Sequence, residues 1–232
     1  MSDRTGADVT DLPEIYARRF PDADARRREA VWVELARFLQ RFVPVDARVL
    51  DLGCDRGDFV NHIRAAERWA VDIRDVREHL DAAVEFRQAD GLELRSILPA
   101  ASFDVIFMSN YLEHLASAAA VLEQLRVVHH LLKPDGRVIV LQPNIRLVGG
   151  RYWDFLDHKT PLTEKSLEEA GTAAGLETID LITRFLPYTT KSRIPPHPWL
   201  VRAYLAIPAA WRVLGKQTLY VGRRGTESFG PR

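Results

Sequence analysis

From residue 45 onward the chain alternates short apolar runs with stretches of helical periodicity, and this rhythm limits the fold more than any other feature. The apolar runs are Arg48–Leu52, Trp69–Ile73, Val84–Gln88, Phe103–Met108 and Arg137–Leu141. Between them lie Phe59–Ala66, Val76–Ala83, a short helical stretch near Leu92–Leu98, and Leu115–Leu132. In the last, Leu115, Ala118, Leu122, Leu125, Val128 and Leu132 form one stripe. Strand and helix in alternation predict a parallel sheet, because each connection must cross back over the sheet, and the crossing helices then cover both faces. Lys133-Pro134-Asp135-Gly136 supplies the turn that stops the long helix. Upstream, Val31, Trp32, Leu35, Phe38, Leu39 and Phe42 recur at helical spacing, which predicts an amphipathic helix between Asp22 and Val43, ended by Pro44.

After Leu141 the rhythm stops. Gln142 to Pro161 reads as a loop rich in aromatics and glycine, Thr163–Ala174 as a helix with Thr163 as its N-cap, and Glu177–Phe185 and Gln217–Gly222 as two final strands. The expected organisation is an N-terminal segment with a cap helix over residues 1–44, then one α/β domain over 45–232 with an insert at 186–216.

Composition removes several function classes. Lys and Arg number 32, as do Asp and Glu, so zero net charge argues against nonspecific nucleic-acid binding. A single cysteine, Cys54, excludes an internal disulfide framework and a Cys-rich zinc site. The first residues lack the basic-then-apolar order of a signal peptide. The longest strongly apolar run, Ala203–Trp211, contains Pro208 and falls far short of the ~20 residues a membrane span needs. A cytoplasmic protein is expected. Pro198 to Leu214, apolar nearly all round, reads first as a buried helix, with a homodimer contact or peripheral contact with lipid-linked substrate as the alternatives.

The strongest local signal is Val49-Leu50-Asp51-Leu52-Gly53-Cys54-Asp55-Arg56-Gly57-Asp58-Phe59. A buried strand runs into a turn flanked by Gly53 and Gly57, where ligands of doubly wound sheets bind. Asp72, at the end of the second strand, is placed to accept hydrogen bonds from both hydroxyls of a ribose. Asp90-Gly91 follows the third strand, where a carboxylate can receive an adenine amino group. Acids at three successive strand ends suit a nucleoside with a cationic tail and repel a pyrophosphate. A dinucleotide fingerprint needs glycine where this chain has Asp55 and Asp58, so a nicotinamide-dependent oxidoreductase is disfavoured.

These residues resemble the class I S-adenosylmethionine-dependent methyltransferases. VLDLGCDRGDF resembles their first motif, FDVIFMSNYLEHL their fourth-strand motif and LLKPDGRVIVLQPN their fifth-strand motif, in the family's order over roughly residues 45–185. The resemblance implies a Rossmann-like doubly wound sheet of seven strands, mostly parallel with the last antiparallel, and S-adenosylmethionine as cofactor, leaving S-adenosylhomocysteine as product. It implies cofactor contacts from Asp51, Gly53, Cys54, Asp55, Gly57, Asp72, Ile73, Asp90, Gly91, Ser109, Asn110 and Tyr111. Asp55 replaces the middle glycine of the family's turn; if it is a lesion, the chain becomes a non-catalytic binding module that meets a partner through its C-terminal insert. WDFLDHKTPLTEKSLEEAGTAAGLE and RFLPYTTKSR resemble methyltransferases found beside glycosyltransferases in polysaccharide pathways.

That resemblance leads to the expectation of O-methylation on a small-molecule or saccharide-type acceptor. His114 and His158 are the candidate general bases. Tyr152, Trp153, Asp157, Tyr188 and Lys191 are the candidate acceptor residues, with Arg193 completing a basic patch and Tyr16 and Arg19 capping the cofactor. Asn110-x-x-Glu113-His114 partly resembles a metal-binding Glu-x-x-Glu-His motif, but with asparagine in the first position no metal is expected. His129 and His130 are read as surface residues whose imidazolium form suits a helix C-terminus.

Overall fold

The computed structural model describes residues 25–188 and 197–225. Helix α1 (Ala25–Leu39) runs into a 3-10 turn at Gln40–Phe42 and leads to β1 (Arg48–Leu52). Strands β2 (Glu67–Asp72) and β3 (Val84–Gln88) follow, then α2 (Leu94–Ile97), β4 (Phe103–Ser109), α3 (Ala118–Leu131) and β5 (Leu132–Pro143). Beyond it lie α4 (Ile145–Val148), α5 (Glu164–Ala173), β6 (Leu176–Leu186), α6 (Pro198–Ala206), α7 (Pro208–Leu214) and β7 (Gln217–Arg224). The seven strands form one sheet in the order β3-β2-β1-β4-β5-β7-β6. All neighbours from β3 to β5 pair in parallel, whereas β7 is antiparallel to both β5 and β6. This is the doubly wound Rossmann-like architecture that the alternation predicts.

The two-residue period of the strands sorts the core into two layers. Leu50, Ile106, Met108, Val138, Val140 and Tyr220 face α2, α3 and α5. Val49, Val105, Phe107, Ile139, Leu141 and Leu219 face α1, α6 and α7. Because the strand order reverses between β1 and β4, a crevice opens at their carboxyl ends, with Asp51, Asp72, Asp90 and Tyr111 at or just beyond strand ends on that edge.

Two expected helices do not form. Over Phe59–Ala66 the chain makes turns, because the guanidinium of Arg68 binds the carbonyls of Val60 (3.1 Å) and Asn61 (3.2 Å), which a continuing helix would use. Over Val76–Ala83 only a 3-10 turn at Arg77–His79 appears. The Asn61 amide pins it, donating to the His79 carbonyl at 2.8 Å and accepting from Asp81 N at 3.0 Å. Lys133–Gly136 is a bulge inside β5, whose pairing with β4 jumps from Phe103↔Leu132 to Val105↔Arg137, and Asp135 there has φ +61°. Thr163 does cap α5, in a reciprocal capping box with Ser166. At the C-terminus of α3, Arg224 donates to the Leu132 carbonyl. Burial and neighbouring arginine charge lower the pKa of both His129 and His130, so the neutral forms are favoured there and the imidazolium expectation is corrected.

The apolar segment at 198–214 is two helices broken at Pro208. Leu205 and Trp211 are buried against Phe38 and Phe185, while Trp199, Ile207, Val213 and Leu214 remain exposed. No helix among the described residues is long and apolar enough to cross a membrane. Arg202 of α6 makes a two-pronged contact, 3.0 and 2.8 Å, with the buried carboxylate of Glu34 in α1, which Arg37 also holds. The Arg202 hydrogen bond is the main reason the Glu34 pKa lies below its ordinary 4.5. The pair therefore stabilises the fold fully above 4.5, and that contribution is lost as pH falls from there through the lowered folded value. Glu34→Gln should lower stability at pH 7 by about 1–2 kcal/mol. In urea titrations, the gap to wild type should narrow progressively as pH falls below 4.5.

Candidate functional site

The loop after β1 returns on itself so that Gly53 N and Cys54 N both donate to the Val71 carbonyl at 2.8 and 3.1 Å. Gly53 and Gly57 both sit at φ +72°, and Asp55 between them at φ +46°. Asp and Asn are the non-glycine residues that enter this left-handed region most readily, so the middle position accepts aspartate. Asp55 N donates to Asp72 Oδ2 at 3.0 Å, and Arg74 Nη2 lies 2.8 Å from Asp55 Oδ1. Arg74 also binds Asp72 through its backbone N, Nε and Nη2, at 3.0, 3.1 and 3.2 Å. One arginine thus bridges the two carboxylates, and Asp55 is accommodated in conformation and in charge.

Asp51 lies beneath this turn, 3% exposed, with Oδ2 accepting from Val60 N at 3.3 Å. Burial first, then the negative charge of Asp58, Asp72 and Asp55, pushes its pKa well up. Asp58 is raised by burial as well, although Arg28 of α1 contacts it at 2.8 Å and ties the N-terminal helix to the turn. The Cys54 thiol is buried among the same acids and is pushed up strongly, which makes it a poor nucleophile. Asp90 is exposed and caps the turn after β3, its Oδ1 accepting from Leu92 N at 2.9 Å. Ile73 is 57% exposed beside the buried Asp72.

Tyr111 crosses these strand ends. A Cβ built on Gly53 would lie 2.4 Å from Tyr111 Cδ2, and one on Gly91 2.2 Å from its hydroxyl oxygen. That hydroxyl donates to Gln124 Oε1 at 2.9 Å, and Gln124 Nε2 reaches the Gly91 carbonyl at 3.3 Å. Gly53 and Gly91 are therefore required by the close approach of the tyrosine side chain. Ser109 and Asn110 sit at the end of β4, Asn110 exposed at φ +48° and donating to Ser109 Oγ at 3.1 Å.

One 3-10 turn beyond Tyr111, Leu112–His114 carries Glu113 and His114 against the loop after β5. His114 Nδ1 lies 3.0 Å from the Asp157 carbonyl and 3.3 Å from its Oδ2, and Asp157 is buried. The His114 and His158 rings are 5.2 Å apart. One ligand atom each of Glu113, His114 and His158 falls within 4.8 Å of the others. Glu113 is fully buried, and neither of its carboxylate oxygens has a hydrogen-bond partner. Burial raises its pKa, against the opposing influence of His114 and the Gln142 side chain.

Tyr152, expected to face the acceptor, is wholly buried: its hydroxyl donates to the Thr160 carbonyl at 2.5 Å and its ring lies 4.7 Å from that of His158. It is the wall behind His158. Trp153 is 53% exposed, and Tyr188 is half-buried with its ring 6.1 Å from Phe155. Lys191, Arg193, Tyr16 and Arg19 lie outside the described residues. Sequence reasoning missed Arg74, Arg28, Gln124 and the meeting of Glu113 with His158. The i, i+2 spacing of Asp72 and Arg74 at a strand end was the one available sign.

Gly53→Ala should cost about 1–3 kcal/mol by overpacking the tyrosine and straining the turn. In a urea double-mutant cycle with Tyr111→Ala, the overpacking part should disappear and the backbone part remain.

The family profile described as a methyltransferase domain matches residues 24–181. Among solved structures, an S-adenosylmethionine-dependent methyltransferase from Archaeoglobus fulgidus superposes with TM-score 0.61 at 17% identity, covering 92% of this chain and 100% of that one. A Thermotoga maritima protein described as a possible histamine N-methyltransferase superposes with TM-score 0.63 at 16% identity, over 92% and 96% of the chains. The [4+2]-cyclase SpnF also has this fold, with TM-score 0.58 and 20% identity over 84% and 81%. No curated protein sequence matches the chain. With the profile spanning more than half its length and the sheet order to match, the chain belongs to the methyltransferase-domain family and is a methyltransferase.

Proposed function

We propose that the chain transfers a methyl group from S-adenosylmethionine to a hydroxyl oxygen of a small-molecule or saccharide-type acceptor. The cofactor supplies a methyl group on a positively charged sulfur; its transfer forms a carbon–oxygen bond, leaves a neutral thioether and requires loss of the hydroxyl proton. The residues at the strand ends fit such a group. Asp72 is a buried carboxylate beside an exposed isoleucine, Ile73, which pairs a hydrogen-bond acceptor for ribose with an apolar face for adenine. Asp55, Asp72 and the exposed Asp90 give the crevice the negative character that a cationic cofactor requires.

The observation that carries the choice of oxygen is the pairing of His114 with Asp157. Holding Nδ1 against the Asp157 carbonyl and carboxylate makes it the protonated nitrogen and leaves Nε2 with its lone pair available. A hydroxyl needs such help to lose its proton, whereas a neutral amine does not. His114 and His158 act on the acceptor hydroxyl, and Trp153, Asp157 and Tyr188 shape its pocket. A saccharide acceptor rests on the resemblance of residues 153–177 and 184–193 to methyltransferases of polysaccharide pathways.

Calorimetric titration with S-adenosylhomocysteine should show saturable binding, absent with NADH. Asp72→Ala should weaken it by about 1–3 kcal/mol. Arg74→Ala should tighten it by roughly two- to tenfold, because it frees Asp72 and removes a cation from a site for a cation. Incubation with methyl-labelled S-adenosylmethionine and matched hydroxyl and amine acceptors, sugars and sugar phosphates among them, should label the hydroxyls. Label only on amines would overturn the oxygen assignment.

A further inference from the structure

Glu113 sits in a state the interior tolerates poorly. A fully buried carboxylate with no well-formed hydrogen bond has lost its hydration and received in exchange only the neighbourhood of Gln142 and His114. Such groups persist where something else complements them, and the two groups nearest in chemistry are imidazoles. His114 comes from the same 3-10 turn, whereas His158 arrives on a separate loop, and the three ligand atoms converge within 4.8 Å. Donors about 2.1 Å from a shared ion stand roughly 3.4 Å apart in a tetrahedron, so atoms already within 4.8 Å need only small side-chain shifts to close on one ion. The support for a ligand is in place as well: His114 Nδ1 is engaged by Asp157, the arrangement that fixes a histidine's tautomer and aims Nε2 at a metal.

We infer that Glu113, His114 and His158 hold a divalent first-row transition cation. Two imidazoles and one carboxylate favour zinc, cobalt or manganese over the oxygen-ligated magnesium and calcium. Three protein donors leave a coordination position open, as in catalytic rather than structural sites. This deepens the proposed O-methylation and rests on it for the ion's role: an acceptor hydroxyl bound at the open position loses its proton to solvent more readily, and the resulting oxygen attacks the methyl group. The two histidines then act on the acceptor through the ion. This replaces the expectation of no metal, which rested on Asn110; that residue, exposed at the end of β4, is not among the three.

The test uses the full chain, stripped with a chelator and titrated with Zn²⁺ by calorimetry and with Co²⁺ by visible absorption. One equivalent should bind, with Co²⁺ giving a ligand-field band. Glu113→Gln and His158→Ala should each weaken binding by about 100-fold, and Asp157→Asn by about tenfold. His130→Ala, on the far end of α3, should leave it unchanged. Without metal, Glu113→Gln should melt at or above wild type, since it removes an orphaned carboxylate; with Zn²⁺, wild type should gain stability and the variant should not. Absence of stoichiometric binding, or binding that survives Glu113→Gln, overturns the site. S-adenosylhomocysteine titrated into the stripped protein separates the two readings. Its binding without metal uptake refutes the cation site alone. Metal uptake without its binding refutes the cofactor reading and leaves the cation site standing.

Discussion

The organising constraint is the crowding of negative charge at one edge of the sheet. Asp51, Asp55, Asp58 and Asp72 meet around a single turn, and their mutual repulsion joins burial in raising the Asp51 pKa. Two arginines make the arrangement tolerable. Arg74 spans Asp55 and Asp72, and Arg28 reaches Asp58 from α1. The second contact explains why the N-terminal helix is part of the site's frame as well as a cover for the sheet: without it, a half-buried carboxylate would face its neighbours alone. The charge that suits the crevice to a cationic molecule is the same charge that the fold neutralises internally through Arg74 and Arg28.

The hydrogen-bonded chain from Tyr111 through Gln124 to Gly91 performs a different task. It joins the end of β4, the buried face of α3 and the turn after β3 into one unit. Since Leu112–His114 follows Tyr111 directly, the position of the histidine cluster relative to the strand ends is set by a buried polar network rather than by a free loop.

Much of this was legible before any coordinates. The short apolar runs of β1, β4 and β5, and an acid at or just beyond the ends of β1, β2 and β3, are local patterns, and local patterns survive in a sequence. What escaped depends on partners far along the chain. Phe59–Ala66 has helical spacing, yet Arg68 from the next strand takes its carbonyls. Tyr152 reads as a loop aromatic, and only the carbonyl of Thr160 and the ring of His158 make it a core residue. Glu113 and His158 belong to two different loops, so no spacing rule could bring them together. Arg74 is one of several arginines near Asp72, and only the turn's reversal selects it.

The Arg202–Glu34 contact has a consequence for the order of events as the chain is made. It joins positions separated by 168 residues, and α1 packs its apolar face on β-strands and on a helix that is synthesised almost last. Contacts of such separation are slow to form and come late. While the ribosome is still adding the central strands, Glu34 has only Arg37 of its own helix to pair with, and the aromatic face of α1 lacks Trp211. The first helix among the described residues is thus among the last to be secured, and a chain cut short before residue 202 leaves it unclasped.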